Sequence, residues 1–232
     1  MRWAAAAGAD VFCTQETRTL AKDQAACTRA MRRAAASWSD DGGDAPQSRV
    51  TLAPPLVGEA VVGGLMTLTV GEMAARHTGE VADARGWGRY SATTYIGKRG
   101  HAMTVVNVYV AFRRRGTVVM DGGSAQAQLT ALANAEYVGS NAVRRRRGPN
   151  ASGLSPITRD DVGSPQHLVL RDISEQFAHL TGDSRNTVVV LGDFNIDKGD
   201  SLEAQLQLMA NRLGLSEVGA QSTVSTSARD AT

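Results

Sequence analysis

The sequence predicts an α/β (or α+β) domain of mixed sheets layered with helices. Short β-branched runs at 9–15 (ADVFCTQ), 89–96 (RYSATTYI), 102–111 (AMTVVNVYVA) and 186–191 (NTVVVL) alternate with stretches of helical period. The runs at 89–96 and 102–111 are joined only by GKRGH, a hairpin-length connection, so part of the sheet is antiparallel. Helices are interspersed among such strand pairs, which favours mixed sheets over a doubly wound parallel fold.

The 232 residues suit one large domain with its own core. Hydrophobic residues make up 42% and charged residues 21%, which excludes an intrinsically disordered class. With 25 basic against 23 acidic side chains the net charge is +2, so affinity for a polyanion has to come from local clusters. Cys13 and Cys27 form neither a metal-type CxxC nor a disulfide framework, and no disulfide partner is expected. No apolar run reaches the roughly 18 residues of a membrane span. The opening MRWAAAAGADVF lacks a convincing signal-peptide core, so the expected location is intracellular, with the nucleus included.

Taken in order, Arg2 to Gly8 reads as a helix end and 9–15 as a strand that delivers Glu16 at its tip. A basic, alanine-rich helix is expected from about Ala21 to Ser37, then a loop near 40–48 (DDGGDAPQ at its centre). Two β-like stretches occupy 49–69, the first interrupted by Pro54-Pro55. The second carries Gly63-Gly64, which reads as a bulge, a close backbone approach or a plain hairpin turn. Tyr109 falls near the end of its strand, a place where packing alone can explain a tyrosine. Ala125 to Tyr137 reads as a helix. Arg144, Arg145, Arg146 and Arg147 open a flexible loop that runs to about 165; such a run is either a solvated face or a set of candidate phosphate contacts. Gln166 to Leu180 is amphipathic, with Val169, Ile173, Phe177 and Leu180 on one face. Ser201 to Leu213 repeats the pattern with Leu202, Leu206, Met209 and Leu213.

Between these helices, Thr187 to Leu191 is an unbroken apolar run, expected to be buried on both faces. It ends in Gly192-Asp193-Phe194-Asn195. Side-chain alternation puts Asp193 and Asn195 on one side and Phe194 on the other. The stretch reads equally as a strand followed by an Asp/Asn turn. Glu16, Tyr109 and the Asp193/Asn195 pair all stand at strand ends, where sites are commonly built. Carboxylates with a phenol and an amide suit metal-assisted phosphoester hydrolysis. Mg²⁺ takes oxygen ligands with water, a carboxylate orients the attacking water, and neutral donors hold phosphate oxygens.

ADVFCTQET (9–17), VVGGLMTLTV (61–70), MTVVNVYVA (103–111) and VVVLGDFNID (188–197) resemble, in order, the motifs of the endonuclease/exonuclease/phosphatase (DNase I-like) superfamily. The nearest likeness is to abasic-site and non-LTR retroelement endonuclease domains. The resemblance implies a four-layer sandwich of two mixed β-sheets flanked by helices. It implies Mg²⁺, with Mn²⁺ as a substitute, bound at Glu16, with Gln15 in support. Tyr109 would contact phosphate, Asp193 would activate water, and Asn195 would bind the phosphate and transition state. The implied partner is nucleic acid, DNA favoured, or else a small phosphoester.

The chain also departs from that pattern. The family's first strand, with its asparagine, and its last strands, with their aspartate and Asp-His pair, have no counterpart here. The chain therefore reads as one partial domain, incomplete at both ends. His77, His101, His167 and His179 all precede Asp193, and Phe112 stands where nucleolytic members often carry a polar residue. Three readings stay open: a nuclease-like phosphodiesterase, a catalytically dead or nucleic-acid-binding remnant of a retroelement endonuclease, and a phosphatase of small phosphoesters.

Overall fold

Two β-sheets lie face to face, each with helices on its outer side. The computed structural model describes residues 8–37, 47–57, 61–111, 125–144, 153–181, 183–196, 199 and 201–217. The first sheet is antiparallel, in the order β1 (Val11–Gln15), β5 (Leu65–Val70), β2 (Ser48–Ala53). The second is mixed: β6 (His77–Ala82), β7 (Tyr90–Ile96) and β8 (Ala102–Tyr109) are antiparallel, and β9 (Asn186–Asp193) joins β8 in parallel. A small ribbon pairs β3 (Leu56–Val57) with β4 (Val61–Val62). The helices are α1 (Gln24–Ala36), α2 (Gly71–Ala75), α3 (Ala125–Arg144), α4 (Arg159–Gly163), α5 (Pro165–Phe177) and α6 (Ser201–Arg212). The architecture is an α/β sandwich of two sheets flanked by helices, as expected.

Side-chain alternation sorts residues between the layers. Along β5, Leu68 and Val70 turn outward and pack with Ala35 of α1, Phe12 and Val50. Thr67 and Thr69 turn inward. On β7 and β8, Tyr90, Ala92, Val106 and Val108 form the outer core with Val169, Ile173 and Phe177 of α5 and Leu202 and Met209 of α6. The inner face carries Ser91, Thr93, Tyr95 and Asn107, all buried. The space between the sheets is therefore rich in polar groups. Thr69 Oγ1 and Tyr95 Oη lie 2.6 Å apart, Thr51 donates to Glu80 at 2.8 Å, and Gln15 Nε2 donates to Asn107 Oδ1 at 2.7 Å.

Several expectations are corrected. β9 is half-buried rather than buried on both faces, because among the described residues it is an edge strand. β1 is likewise an edge and lies beside β9. The stretch expected as a flexible loop to 165 holds α4, which opens on a reciprocal cap between Thr158 and Asp161. Leu154 and Ile157 before it are buried. Helix α3 runs on to Arg144. Strand β6 and helix α2 carried no signal used above. The expected helix end before Gly8 and the centre of the loop near 40–48 lie outside the described residues.

Candidate active site

Glu16, Tyr109 and Asp193 stand on one rim of the sandwich, at the ends of β1, β8 and β9. β1 stops at Gln15 because the chain then turns left-handed: Glu16 has φ +55° and Arg18 φ +51°. The turn is pinned to β5's leading glycines, with Thr17 N donating to Gly64 O at 3.2 Å and Arg18 N to Gly63 O at 2.9 Å. Gly63 and Gly64, at φ +78° and +89°, have no room for a side chain. A Cβ on the first would lie 2.7 Å from Arg89 Nη2, and on the second 2.7 Å from Thr17 Oγ1. The paired glycines thus serve a close backbone approach. Among the described residues, four non-glycines have positive φ, and Glu16, Arg18 and Asn195 of this rim are three of them. Each such residue stores roughly 1–3 kcal/mol of strain, and such strain concentrates at functional sites.

Tyr109 is 4% exposed and packs with Ala53 and Leu65. Its hydroxyl donates to Glu16 Oε1. Burial raises the Tyr109 pKa, and the hydrogen bond to Glu16 and that residue's charge raise it further, against the pull of Arg89. The phenol is therefore held as a donor.

Asp193 is the parallel register partner of Tyr109. Val110 N donates to Asp193 O at 2.8 Å. Asn195 N donates to Asp193 Oδ1 at 3.2 Å, and Asn195 Nδ2 to Val110 O at 2.9 Å. The Asp193 carboxylate meets the Asn195 backbone N–H and the Asn195 side chain turns to Val110 O, so the stretch is a strand followed by an Asp/Asn turn with Asn195 at φ +48°. Phe194 anchors the turn in the outer core. Gly192 before it has φ +150°, and a Cβ there would lie 2.0 Å from Val108 O.

Gln15 reaches Asn107 across the sheets. It ends the strand that Glu16 follows.

The sequence reading missed Arg89. Its residue is 0% exposed, with the guanidinium carbon 5.3 Å from the Tyr109 ring centroid. Nε donates to Trp87 O at 3.2 Å, while Nη1 and Nη2 are buried with no hydrogen-bond partner. Burial pushes its pKa down to about 10, against Tyr109, Asp83 and Glu16, which favour the cation. The turn that carries it is fixed by Asp83, whose carboxylate accepts from Arg85 N at 2.8 Å and Arg89 N at 3.1 Å. Beside the rim, a cavity of about 440 Å³ opens between β2 and β6, lined by Thr51, Pro54, Glu80, Asp83 and Ser91 among others.

Arg144 closes α3, and Arg145, Arg146 and Arg147 lie outside the described residues. Among the described residues there is no group of three His, Cys, Asp or Glu able to hold a metal ion. Glu16 and Asp193 are exposed carboxylates on neighbouring strand ends. Two carboxylates do not make a caged site, and a cation held between them would have to keep most of its water, as Mg²⁺ does.

No family model matches the chain, and no curated protein matches it. Among solved structures, a crystal structure of beta toxin 275-280 from Staphylococcus aureus aligns over 90% of this chain and 72% of that one. The identity is 10% and the TM-score 0.29, too slight an overlap to carry fold or function. No helix among the described residues is long and apolar enough to cross a membrane, and both cysteines are free thiols.

Proposed function

We propose that the chain is built for metal-assisted phosphodiester hydrolysis, with nucleic acid favoured as substrate. The observation that carries the reading is the hydrogen bond from Tyr109 to Glu16, with Asp193 in register beside it and the Arg89 cation beneath. Glu16 would hold Mg²⁺ or Mn²⁺, with Asp193 beside it facing the metal's water. When bound, the ion would stabilise charge on the phosphate and lower the pKa of water. Asp193, exposed at the strand end, accepts a proton from water. The phenol of Tyr109, kept protonated by its surroundings, holds Glu16 in place, and its one hydrogen reaches a phosphate oxygen only when it leaves Glu16. Asn195 holds the turn through one amide hydrogen and has a second to offer. Arg89 sets a positive potential under the rim, which favours an anion and its growing charge.

A second reading, anion binding without turnover, is favoured by where the imidazoles stand. His77 begins β6 and His101 precedes β8, at the far ends of their strands from the rim, while His167 and His179 lie on the α5 side. Losing a general acid typically costs about 10²–10⁴ in rate. Incubation with supercoiled plasmid and with a small phosphodiester, with and without Mg²⁺, tests the proposal against Asp193→Ala. Nicking by the parent alone supports hydrolysis. Equal nicking by both removes Asp193 from the site. Metal-dependent hydrolysis of the small diester alone selects the small-phosphoester reading, and inertness with retained DNA affinity selects binding without turnover.

A further inference from the structure

Helix α1 turns to solvent a face of cations and small residues, with one acid, Asp23, at its N-cap. Lys22, in the 3-10 turn that leads into it, is exposed, as are Arg29, Arg32 and Arg33. Lys22, Arg29 and Arg33 are spaced by seven and four residues, so they form one stripe, with Arg32 beside it. Ala25, Ala26 and Ala30 between them are also exposed. Helix α1 contains no acidic residue. Among the described residues none of these four cations takes part in an ion pair; the one hydrogen bond recorded for them runs from Arg33 Nε to Arg29 O.

A surface face usually alternates charge and gains from pairs four residues apart. This one stores repulsion instead. A cation in the last turn is favoured by the helix dipole, which accounts for Arg33 but not for Lys22 ahead of the helix or Arg29 at its middle.

The direction of the stripe is set by the fold. The N-terminal part of α1 lies near the rim, where Thr19 donates to Cys27 Sγ. Its far end, Ala35, packs on Leu68 and Val70, toward the start of β1. The stripe therefore leads away from Glu16 over the outer layer for about 16 Å, at about 1.5 Å per residue. On one strand of B-DNA that length carries about five phosphates.

We infer that the outward face of α1 is a phosphate-backbone surface that lays a nucleic acid strand across the molecule toward the rim. The inference rests on the phosphodiesterase reading for what happens at the rim, but the binding it describes does not need turnover. Alanines between the cations let a sugar–phosphate backbone approach closely. An anionic bilayer is a poorer fit, because the apolar side of α1 is spent on the first sheet and no large apolar residue is exposed on its outer side.

The test is fluorescence anisotropy of a labelled 20-base-pair duplex in EDTA, from 50 to 200 mM NaCl. Four proteins are compared: the parent; K22Q/R29Q/R32Q/R33Q; the charge-keeping R29K/R32K/R33K; and K98Q/R99Q/R159Q/R212Q, which removes the same charge from exposed sites elsewhere. The α1 neutral variant should lose about 3 to 4 from the slope of log affinity against log salt, at about 0.9 per phosphate contact. The lysine variant and the distant control should each keep most of it. An equal loss in the control reduces the effect to net charge and overturns the inference. So does an unchanged slope in the α1 variant, or tighter binding of the parent to anionic vesicles than to the duplex. If the α1 variant loses binding while no protein hydrolyses any diester, the surface stands and the hydrolytic reading falls.

Discussion

Asn107 of β8 and Gln15 of β1 join the two sheets by a 2.7 Å hydrogen bond between fully inward-facing amides. Asn107 is 0% exposed, and its Nδ2 also lies within hydrogen-bond distance of Met66 O (3.0 Å), Thr14 O (3.3 Å) and Thr67 Oγ1 (3.4 Å). The pair holds the strand that ends in Glu16 against the strand that ends in Tyr109. Replacing Asn107 with Ala removes the acceptor of the Gln15 amide and the donor shared among Met66 O, Thr14 O and Thr67 Oγ1. The expected cost is about 2–4 kcal/mol in urea denaturation. A loss below about 0.5 kcal/mol would mean that water satisfies this layer as well as Asn107 does.

Gly192 and Gly79 separate a required glycine from a replaceable one. Gly192→Ala forces a methyl group into Val108 O and should cost more than about 3 kcal/mol or prevent soluble expression. Gly79→Ala meets nothing within 4 Å and should stay within about 0.5 kcal/mol of the parent. Comparable melting temperatures for the two variants would contradict the β8–β9 register.

Tyr109→Phe keeps the ring against Ala53, Leu65 and Arg89 but removes the donor to Glu16. Stability should change by less than about 1 kcal/mol. If the chain hydrolyses diesters, the rate should fall about 10²–10³-fold, as for one lost donor at a developing charge. A rate equal to the parent's would reduce Tyr109 to a packing residue.

Arg89→Met should leave stability unchanged or raise it, since a buried cation with two unpaired Nη groups gives way to an apolar side chain. Anion affinity, read by phosphate protection against thermal unfolding, should drop. Destabilisation beyond about 2 kcal/mol would show that the fold itself needs this charge.

Tyr90, Tyr95 and Tyr109 all have pKa values raised above 10, each by burial first. A phenol whose folded pKa exceeds its unfolded value binds more protons in the fold above pH 10, so stability falls as pH rises beyond that value. Arg89, pushed down to about 10, works in the opposite sense over the same range, one group against three. The part of the 295 nm absorbance that belongs to these three of the chain's four tyrosines should therefore appear together with the change in far-UV circular dichroism on alkaline titration. Phenolate signal from these three tyrosines in a still-folded protein would refute their burial.

Much of the sandwich was legible because period-two and period-3.6 patterns belong to single elements. β7, β8 and the apolar face of α5 could be read that way. β6 (HTGEVA) could not: it is an edge with alternate exposure and little apolar content. The half-buried state of β9 was misjudged because an apolar run reports composition, while burial depends on what lies beside the strand. Glu16, Tyr109 and Asp193 were visible as polar residues at strand ends. Arg89 was not, since nothing local says that an arginine will be enclosed by Gly63, Trp87 and Tyr109, residues distant in sequence or packed through a turn. The strained backbone at Glu16, Arg18 and Asn195 was invisible for the same reason.

The parallel pairing of β8 with β9 has a consequence in time. Tyr109 and Asp193 come into register only after the whole crossover through α3, α4 and α5 has been made and packed, so the loop-closure entropy of that span precedes any gain from the pair. On a ribosome the first sheet and β6–β8 can assemble while β9 is still unmade. The rim is then completed only when β9 emerges, and until that moment β8 offers an open edge to any strand that reaches it first.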